Sequence, residues 1–217
     1  MNVQLIESTP NAEDHIVHVA RVSSGRADKK AKPEGLINYL IKNNHWSPFE
    51  HAYMTLEIET SKAIGIQLIR HRSFTFQEFS QRYQDVNKLD DMFEDISIRR
   101  QCDNNRQSST EEFDPLIKHG DISISASQDI QHALRVAETT YNNLINAGVA
   151  REQARMVLPL ATKTKIYMTG SIRSWVHFLQ LRDDEHAQLE IQLIARDAKS
   201  IFVNEFPMIS NALNYPI

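Results

Sequence analysis

The chain has 217 residues, 41% hydrophobic and 24% charged, and a formal net charge of −4. That length supports one good core, and the charge balance excludes a global field that would gather nucleic acid, so any anion binding has to be local. The single cysteine, Cys102, excludes an intrachain disulfide and every zinc site that draws two cysteines from one chain.

The N-terminus, MNVQLIESTPNAEDH, has no basic end followed by an apolar run, so no signal peptide is expected. No apolar run approaches the roughly 18 residues that a membrane helix needs. The expectation is a cytoplasmic protein without a membrane or nucleic-acid partner. Residues 2–6 predict a short strand. Thr9-Pro10 reads as the cap and first position of a helix running to about Val22. Lys32 to Asn43 predicts a second helix, with Leu36, Ile37, Leu40 and Ile41 on one side. Ala52 to Glu59 alternates strictly: Ala52, Met54, Leu56 and Ile58 face one way, Tyr53, Thr55, Glu57 and Glu59 the other. That is a half-buried strand of the antiparallel kind. Ser61 is placed to cap a helix over Lys62 to His71, on which Gln67 and Arg70 would share a face.

Residues 84–126 are mostly polar and acidic, with DDMFED and CDNNRQSSTEE. They read as a long surface excursion. Ser125 and Gln128 have capping-box spacing. Ile130, Ala133, Leu134, Ala137, Tyr141, Leu144 and Ile145 then keep helical spacing until Gly148 stops it. A short helix is predicted over Arg151 to Leu158, a strand over Lys165 to Thr169, and two helices over about 171–182 and 187–205. Ile191, Ile194, Ala195, Ala198, Ile201 and Phe202 mark the last. Helix and strand mix without the regular alternation of a doubly wound sheet, so the fold class is α+β in one domain over residues 1–217.

The segment richest in chemistry is RHRSFTFQEFSQRY, residues 70–83. Arg70, Arg72 and Arg82 bring three guanidiniums, beside His71 and Ser80, with Glu78 as the sole acid. Charge runs are usually solvated faces. The alternative is a cradle for a phosphorylated ligand, since the planar fork of arginine matches phosphate oxygens. Glu78 would then accept from a sugar hydroxyl or ring N–H, or hold an arginine in place. His45, Ser47, Glu50 and His51 lie in HWSPFEH, where Pro48 favours a turn. The histidine spacing is no standard zinc signature, and no metal site is expected. Arg151 and Arg155 are four apart in REQARMVLP, and Arg155 is as suited to bracing a carboxylate as to holding a ligand. Arg173 and His177 share one helical face, whereas Arg182, nine residues past Arg173, points about half a circle away at roughly 100° per residue. A helix with polar groups on opposed sides suits a position between ligands or subunits. Arg182, His186 and Glu190 continue a stripe at four-residue spacing. On these residues alone, a nucleotide-binding regulatory protein and a metal-dependent phosphohydrolase stand beside a nucleotide-modifying enzyme.

Taken together, these stretches resemble the flavin-dependent thymidylate synthases. The signature of that family is RHR, seven residues, then Ser, with Arg and Tyr just beyond, and it stands here as RHRSFTFQEFSQRY. The resemblance runs from HWSPFEH through REQARMVLPL to LRDDEHAQLEIQ. It covers most of the chain outside residues 84–126. It implies a mixed, mainly antiparallel sheet flanked by helices, and reductive methylation of dUMP to dTMP in de novo dTMP biosynthesis. Methylenetetrahydrofolate would supply the carbon, NADPH the reducing equivalents, and FAD would carry the hydride. By matching position, Ser47, Arg70, His71, Arg72, Glu78, Ser171, Ile172, Arg173 and His177 would line the flavin site. Gln67, Arg70, Glu78, Phe79, Ser80, Gln81, Arg82, Arg155 and Arg182 would line the dUMP site. Arg182 matches the catalytic position, where a held arginine polarises the uracil and favours loss of its N3 proton. The resemblance also implies a homotetramer with shared active sites. Thr75 and Gln77 stand where many members have Ser and Asn, and Ser171 stands where Asn is common. Cys102 lies far from every motif, so it is not expected to be the nucleophile.

Overall fold

A computed structural model describes residues 1–24, 32–89 and 91–215. In chain order the elements are β1 (Asn2–Ser8), α1 (Ala12–Arg21), α2 (Pro33–Lys42), β2 (Tyr53–Ser61), α3 (Lys62–Leu68), β3 (Thr75–Glu78), β4 (Arg99–Gln101), β5 (Ser109–Glu112), β6 (Leu116–His119), β7 (Ile122–Ser125), α4 (Ala126–Asn146), α5 (Arg151–Ala154), β8 (Lys163–Ser171), α6 (Ile172–Arg182), α7 (Leu189–Glu205) and α8 (Pro207–Ala212). Helices and antiparallel pairs mix as the α+β class requires. Among the described residues, no helix is long and apolar enough to cross a membrane. The chain forms two compact units. One comprises Met1, Glu59–Leu68 and Glu78–Lys165, the other Asn2–Ile58, Ile69–Gln77 and Ile166–Ile217.

The second unit holds most of a four-stranded sheet ordered β1-β2-β8-β3. Ala52, Met54, Leu56 and Ile58 are fully buried, as their alternation predicts. Glu57, on the opposite side, is also buried and accepts from Nε2 of Gln4 at 2.6 Å. Trp175 on α6 joins this core and donates through Nε1 to the Met54 carbonyl at 2.8 Å. On α2 and α7 the predicted apolar faces are turned inward.

Two expectations change in this unit. Thr9 does not cap α1. Its amide donates to the Tyr53 carbonyl and its Oγ1 accepts from the Tyr53 amide, so it is bound to β2, and the chain turns at Asn11 with φ 50°. Asparagine tolerates that left-handed conformation better than most residues. The stripe Arg182, His186, Glu190 is broken because α6 ends at Arg182 and α7 begins at Leu189. Asp183 caps that end and is drawn to Arg196 and Lys199, both at 2.9 Å. A further helix, α8, follows a Pro207 start, and the carboxylate of Glu13 accepts from the Ile209 amide there at 2.8 Å.

The first unit is built on α4. The Ser125–Gln128 capping box is present, and Gly148, at φ 83°, ends the helix with its amide donating to the Ile145 carbonyl. Glycine adopts that backbone conformation without steric penalty. Val86, Met92, Tyr141 and Ala154 form a small buried core, with Phe79, Phe93 and Leu158 packed against it. The stretch 84–126 is structured: β4 pairs with β5, and β6 with β7, both antiparallel. Residues of β5 and β6 are exposed throughout, so the segment remains a surface element. Helix α3 stops at Leu68, three residues short of His71, with its start capped by Ser61 at 3.4 Å. Arg70 therefore lies in a turn beyond the helix rather than on the helical face of Gln67.

Candidate active site

Strand β8 delivers Ser171 to the start of α6. Its hydroxyl accepts from the Ser174 amide at 3.2 Å, as an N-cap, and donates to Oε2 of Glu50 at 2.5 Å. The other oxygen of Glu50 accepts from Nη1 of Arg173 at 2.9 Å. Pro48 and its 3-10 turn, Ser47–His51, place that carboxylate. Sequence reasoning weighed Glu50 only beside His45 and His51, whereas the structure uses it to join the turn to α6. Among the described residues, no group of three His, Cys, Asp or Glu is arranged to hold a metal ion.

Arg173 and His177 line a cavity of about 620 Å³ together with Asn44, Trp46, Glu50 and Ser73. Ser47 lines a second cavity of about 430 Å³, which Arg173 also borders. The walls offer an aromatic face, a cation and several hydrogen-bonding groups, which suits parts of a large heteroaromatic cofactor bearing phosphates. Ile172 is fully buried, and its amide donates to the Ala52 carbonyl at 2.9 Å.

In the same unit, Arg70 and Arg72 are exposed and His71 is buried between them. The His71 ring meets Phe178 edge-on at 5.0 Å and Phe74 at 6.4 Å. Its Nε2 accepts from Nε of Arg182 at 2.9 Å. Burial, then the charge of Arg182, then His177 hold the His71 pKa down at about 4. Burial and the nearby Arg70 also lower that of Arg182. Among the described residues, neither Nη of Arg182 makes a hydrogen bond and no carboxylate pairs with it.

In the first unit, Gln67 sits half-buried on α3. Glu78 accepts from Nζ of Lys62 and from Oγ1 of Thr164, both at 2.8 Å. It is braced by a lysine and a threonine, not by an arginine. The Phe79 amide donates to the Lys165 carbonyl, and the Ser80 carbonyl accepts from the amides of Tyr83 and Gln84. That turn buries Gln81 and leaves Arg82 exposed, with Glu152 at 3.7 Å. Nε2 of Gln81 and Nε of Arg155 are both buried without a partner. Orphaned donors of this kind carry a penalty of about 1–3 kcal/mol each, which an anionic or carbonyl-bearing ligand relieves. Glu50, Lys62 and Thr164 are the residues that sequence reasoning missed as site partners. No periodicity marks them, because each acts through a contact distant in sequence.

The comparisons cover the same ground. Residues 4–208 match the family model described as Thymidylate synthase complementing protein. A probable flavin-dependent thymidylate synthase of Paramecium bursaria Chlorella virus 1 is 40% identical over 212 residues, 97% of this chain and 94% of that one. A flavin-dependent thymidylate synthase of a Synechocystis species is 39% identical over 213 residues, again 97% and 94%. Among solved structures, the UMP/dUMP methylase PolB from Streptomyces cacaoi, bound with 5-Br dUMP, superposes with a TM-score of 0.77 at 30% identity, covering 98% of this chain and 94% of that one. With its arginine-rich turn, its four-stranded sheet and matches that run almost from end to end, the chain belongs to the family of flavin-dependent thymidylate synthases.

Proposed function

We propose that this protein carries out reductive methylation of dUMP to dTMP, with methylenetetrahydrofolate as carbon donor, NADPH as reductant and FAD as prosthetic group. The observation that carries this reading is the state of Arg182. Its guanidinium is partly desolvated, stands near the like charge of Arg70, and keeps both Nη groups free of protein partners among the described residues. A cation held that way favours a ligand on which negative charge develops. Uracil that loses its N3 proton is such a ligand, and the Nη groups of Arg182 would meet the charge spread over N3 and its flanking carbonyl oxygen.

The remaining roles follow from chemistry. Arg82 and the Ser80 hydroxyl hold the phosphate, and Arg70 adds positive charge beside Arg182. Gln67, Phe79, Gln81 and Arg155 complete the nucleotide site, and the orphaned donors of Gln81 and Arg155 gain partners there. Glu78, braced by Lys62 and Thr164, accepts from the ligand. Ser47, His71, Arg72, Ser171, Ile172, Arg173 and His177 hold the flavin, Ile172 by fixing the start of α6 through its buried side chain and its amide bond to the Ala52 carbonyl. FAD, when bound, supplies the hydride-carrying chemistry.

The whole chain acts as one cytoplasmic catalytic domain in a homotetramer with shared active sites. Support for assembly comes from α4, where Tyr141 is the one fully buried residue and Val136 on its surface is exposed. Met156 and Leu160 are exposed as well, at 78% and 60%. Exposed apolar side chains such as these suit contact with further copies.

The test is an absorbance spectrum of the purified protein followed by tritium release from dUMP labelled at C5. Oxidised-flavin absorbance with NADPH- and folate-dependent release is expected. A colourless protein that binds dUMP without releasing tritium would replace the enzyme with a nucleotide-binding module.

A further inference from the structure

The side chain of Arg182 ends a helix beside a carboxylate, yet it does not use it. Both oxygens of the adjacent Asp183 are taken, Oδ1 by Nε of Arg196 and Oδ2 by Nζ of Lys199. The guanidinium instead donates to a ring nitrogen 111 positions earlier in the chain. We propose that His71, held neutral with its proton on Nδ1, is a positioning residue that orients Arg182 by accepting its Nε–H. This inference rests on the reading of Arg182 given above and goes beyond the placing of His71 in the flavin site.

Three features support it. The first is the choice of acceptor. A carboxylate at Nε would orient the guanidinium but also neutralise much of its charge. A neutral imidazole orients it and leaves the full cation for the substrate. The second is rigidity. The His71 ring is 9% exposed and wedged edge-on against Phe178 and Phe74. Phe74 in turn lies so close to Gly170 that an added Cβ would come within 2.4 Å of its ring. A long arginine side chain loses much rotamer freedom when held, and a packed acceptor gives one direction instead of many.

The third is the company that His71 keeps. Arg182 and His177 are the charged or titratable groups that act on it, with Arg70 beyond Arg182, and no carboxylate is among them. Acceptance at Nε2 requires the proton on Nδ1. Protonating the second nitrogen would set two cations face to face and remove the acceptor. The low pKa caused by burial and by Arg182 agrees with this arrangement.

The first test reads the ring directly by nitrogen NMR of histidine-labelled protein. The wild-type spectrum should show His71 as the Nδ1-protonated tautomer, without titration between about pH 5 and pH 8. In Arg182→Ala it should titrate at higher pH. An Nε2-protonated ring in the wild type overturns the proposal. The second test is a double-mutant cycle on the flavin-loaded enzyme. His71→Phe keeps the ring packing and removes the acceptor. With FAD added until its site is saturated, it should lower kcat for dTMP formation roughly tenfold or more, and by a larger factor than it lowers flavin reduction by NADPH. His71→Gln, whose amide oxygen accepts, should recover most of that loss. Adding His71→Phe to Arg182→Ala should cost little further. Equal losses in both backgrounds, with an active wild type, overturn the positioning role alone. A wild-type protein that forms no dTMP overturns the functional reading and the positioning role together.

Discussion

Nε of Arg182 and Nε2 of His71 lie 2.9 Å apart, joining the end of α6 to the turn beyond α3 through one neutral acceptor and one permanent cation. The geometry separates two jobs that a salt bridge would merge, aiming the guanidinium and balancing its charge. Arg182→Ala should therefore lower dTMP formation by about 10²–10³, the range for losing a preorganised donor at a developing charge. Reduction of bound flavin by NADPH should persist, as rapid-mixing absorbance would show. Loss of both steps to the same degree would make Arg182 structural.

Arg82 is exposed and only loosely paired with Glu152, at 3.7 Å. Its release from that partner costs little, since exposed pairs contribute roughly 0–1 kcal/mol. Arg82→Ala should weaken dUMP binding by about 1.5–3 kcal/mol through loss of a charge-assisted phosphate contact. Calorimetric titration with dUMP checks this, and an unchanged affinity would contradict the phosphate role.

Glu13 is buried and anchors α8 through the Ile209 amide. Burial is the dominant effect and pushes its carboxyl up, opposed by the amides of Ile209 and Met208. The folded state thus keeps this proton to higher pH than the unfolded chain does. Its contribution to stability is greatest at low pH and falls as pH rises through the raised pKa. Glu13→Gln retains an accepting oxygen and removes that fall, so it should gain on the wild type as pH rises past the ordinary carboxylate range in urea unfolding. Glu13→Ala should lose about 1–3 kcal/mol by stranding the Ile209 amide. Parallel pH profiles for wild type and the Gln variant would refute the assignment.

Gly170 needs to lack a side chain because of space, since the Phe74 ring occupies the place of its Cβ. Phe74 is buried and meets Trp175 edge-on at 4.9 Å. Gly170→Ala should cost about 1–3 kcal/mol by overpacking, seen as a lower Tm. An unchanged Tm would mean that the ring has room to move.

Cys102 follows β4 and is partly exposed. Cys102→Ala should keep most of the turnover in the tritium-release assay. Complete loss with the fold intact would bring back a thiolate nucleophile.

Local pattern was enough for the elements whose burial follows their period. The alternation of Met54, Leu56 and Ile58 marked β2, and the spacing from Ile191 to Phe202 marked α7. The Ser125–Gln128 box marked the start of α4. The opposed directions of Arg173 and Arg182 also followed from helical geometry, and the two side chains meet Glu50 and His71 respectively. Other features have no local signal. The hairpins β4–β5 and β6–β7 expose most of their residues, and the one apolar alternation among them, Ile122 and Ile124 in β7, spans only four residues. Thr9 looked like a cap because its partner, Tyr53, is distant in sequence.

From the sequence by itself came the chemical inventory: how many arginines, on which elements, and the family to which their spacing belongs. Tertiary structure decided which partner each charge takes. It gave Asp183 to Arg196 and Lys199, Glu50 to Ser171 and Arg173, and left Arg182 to an imidazole. Periodicity reports only neighbours within a turn or a pleat, whereas the strength of an ion pair or hydrogen bond depends on distance and burial, which arise when remote segments pack.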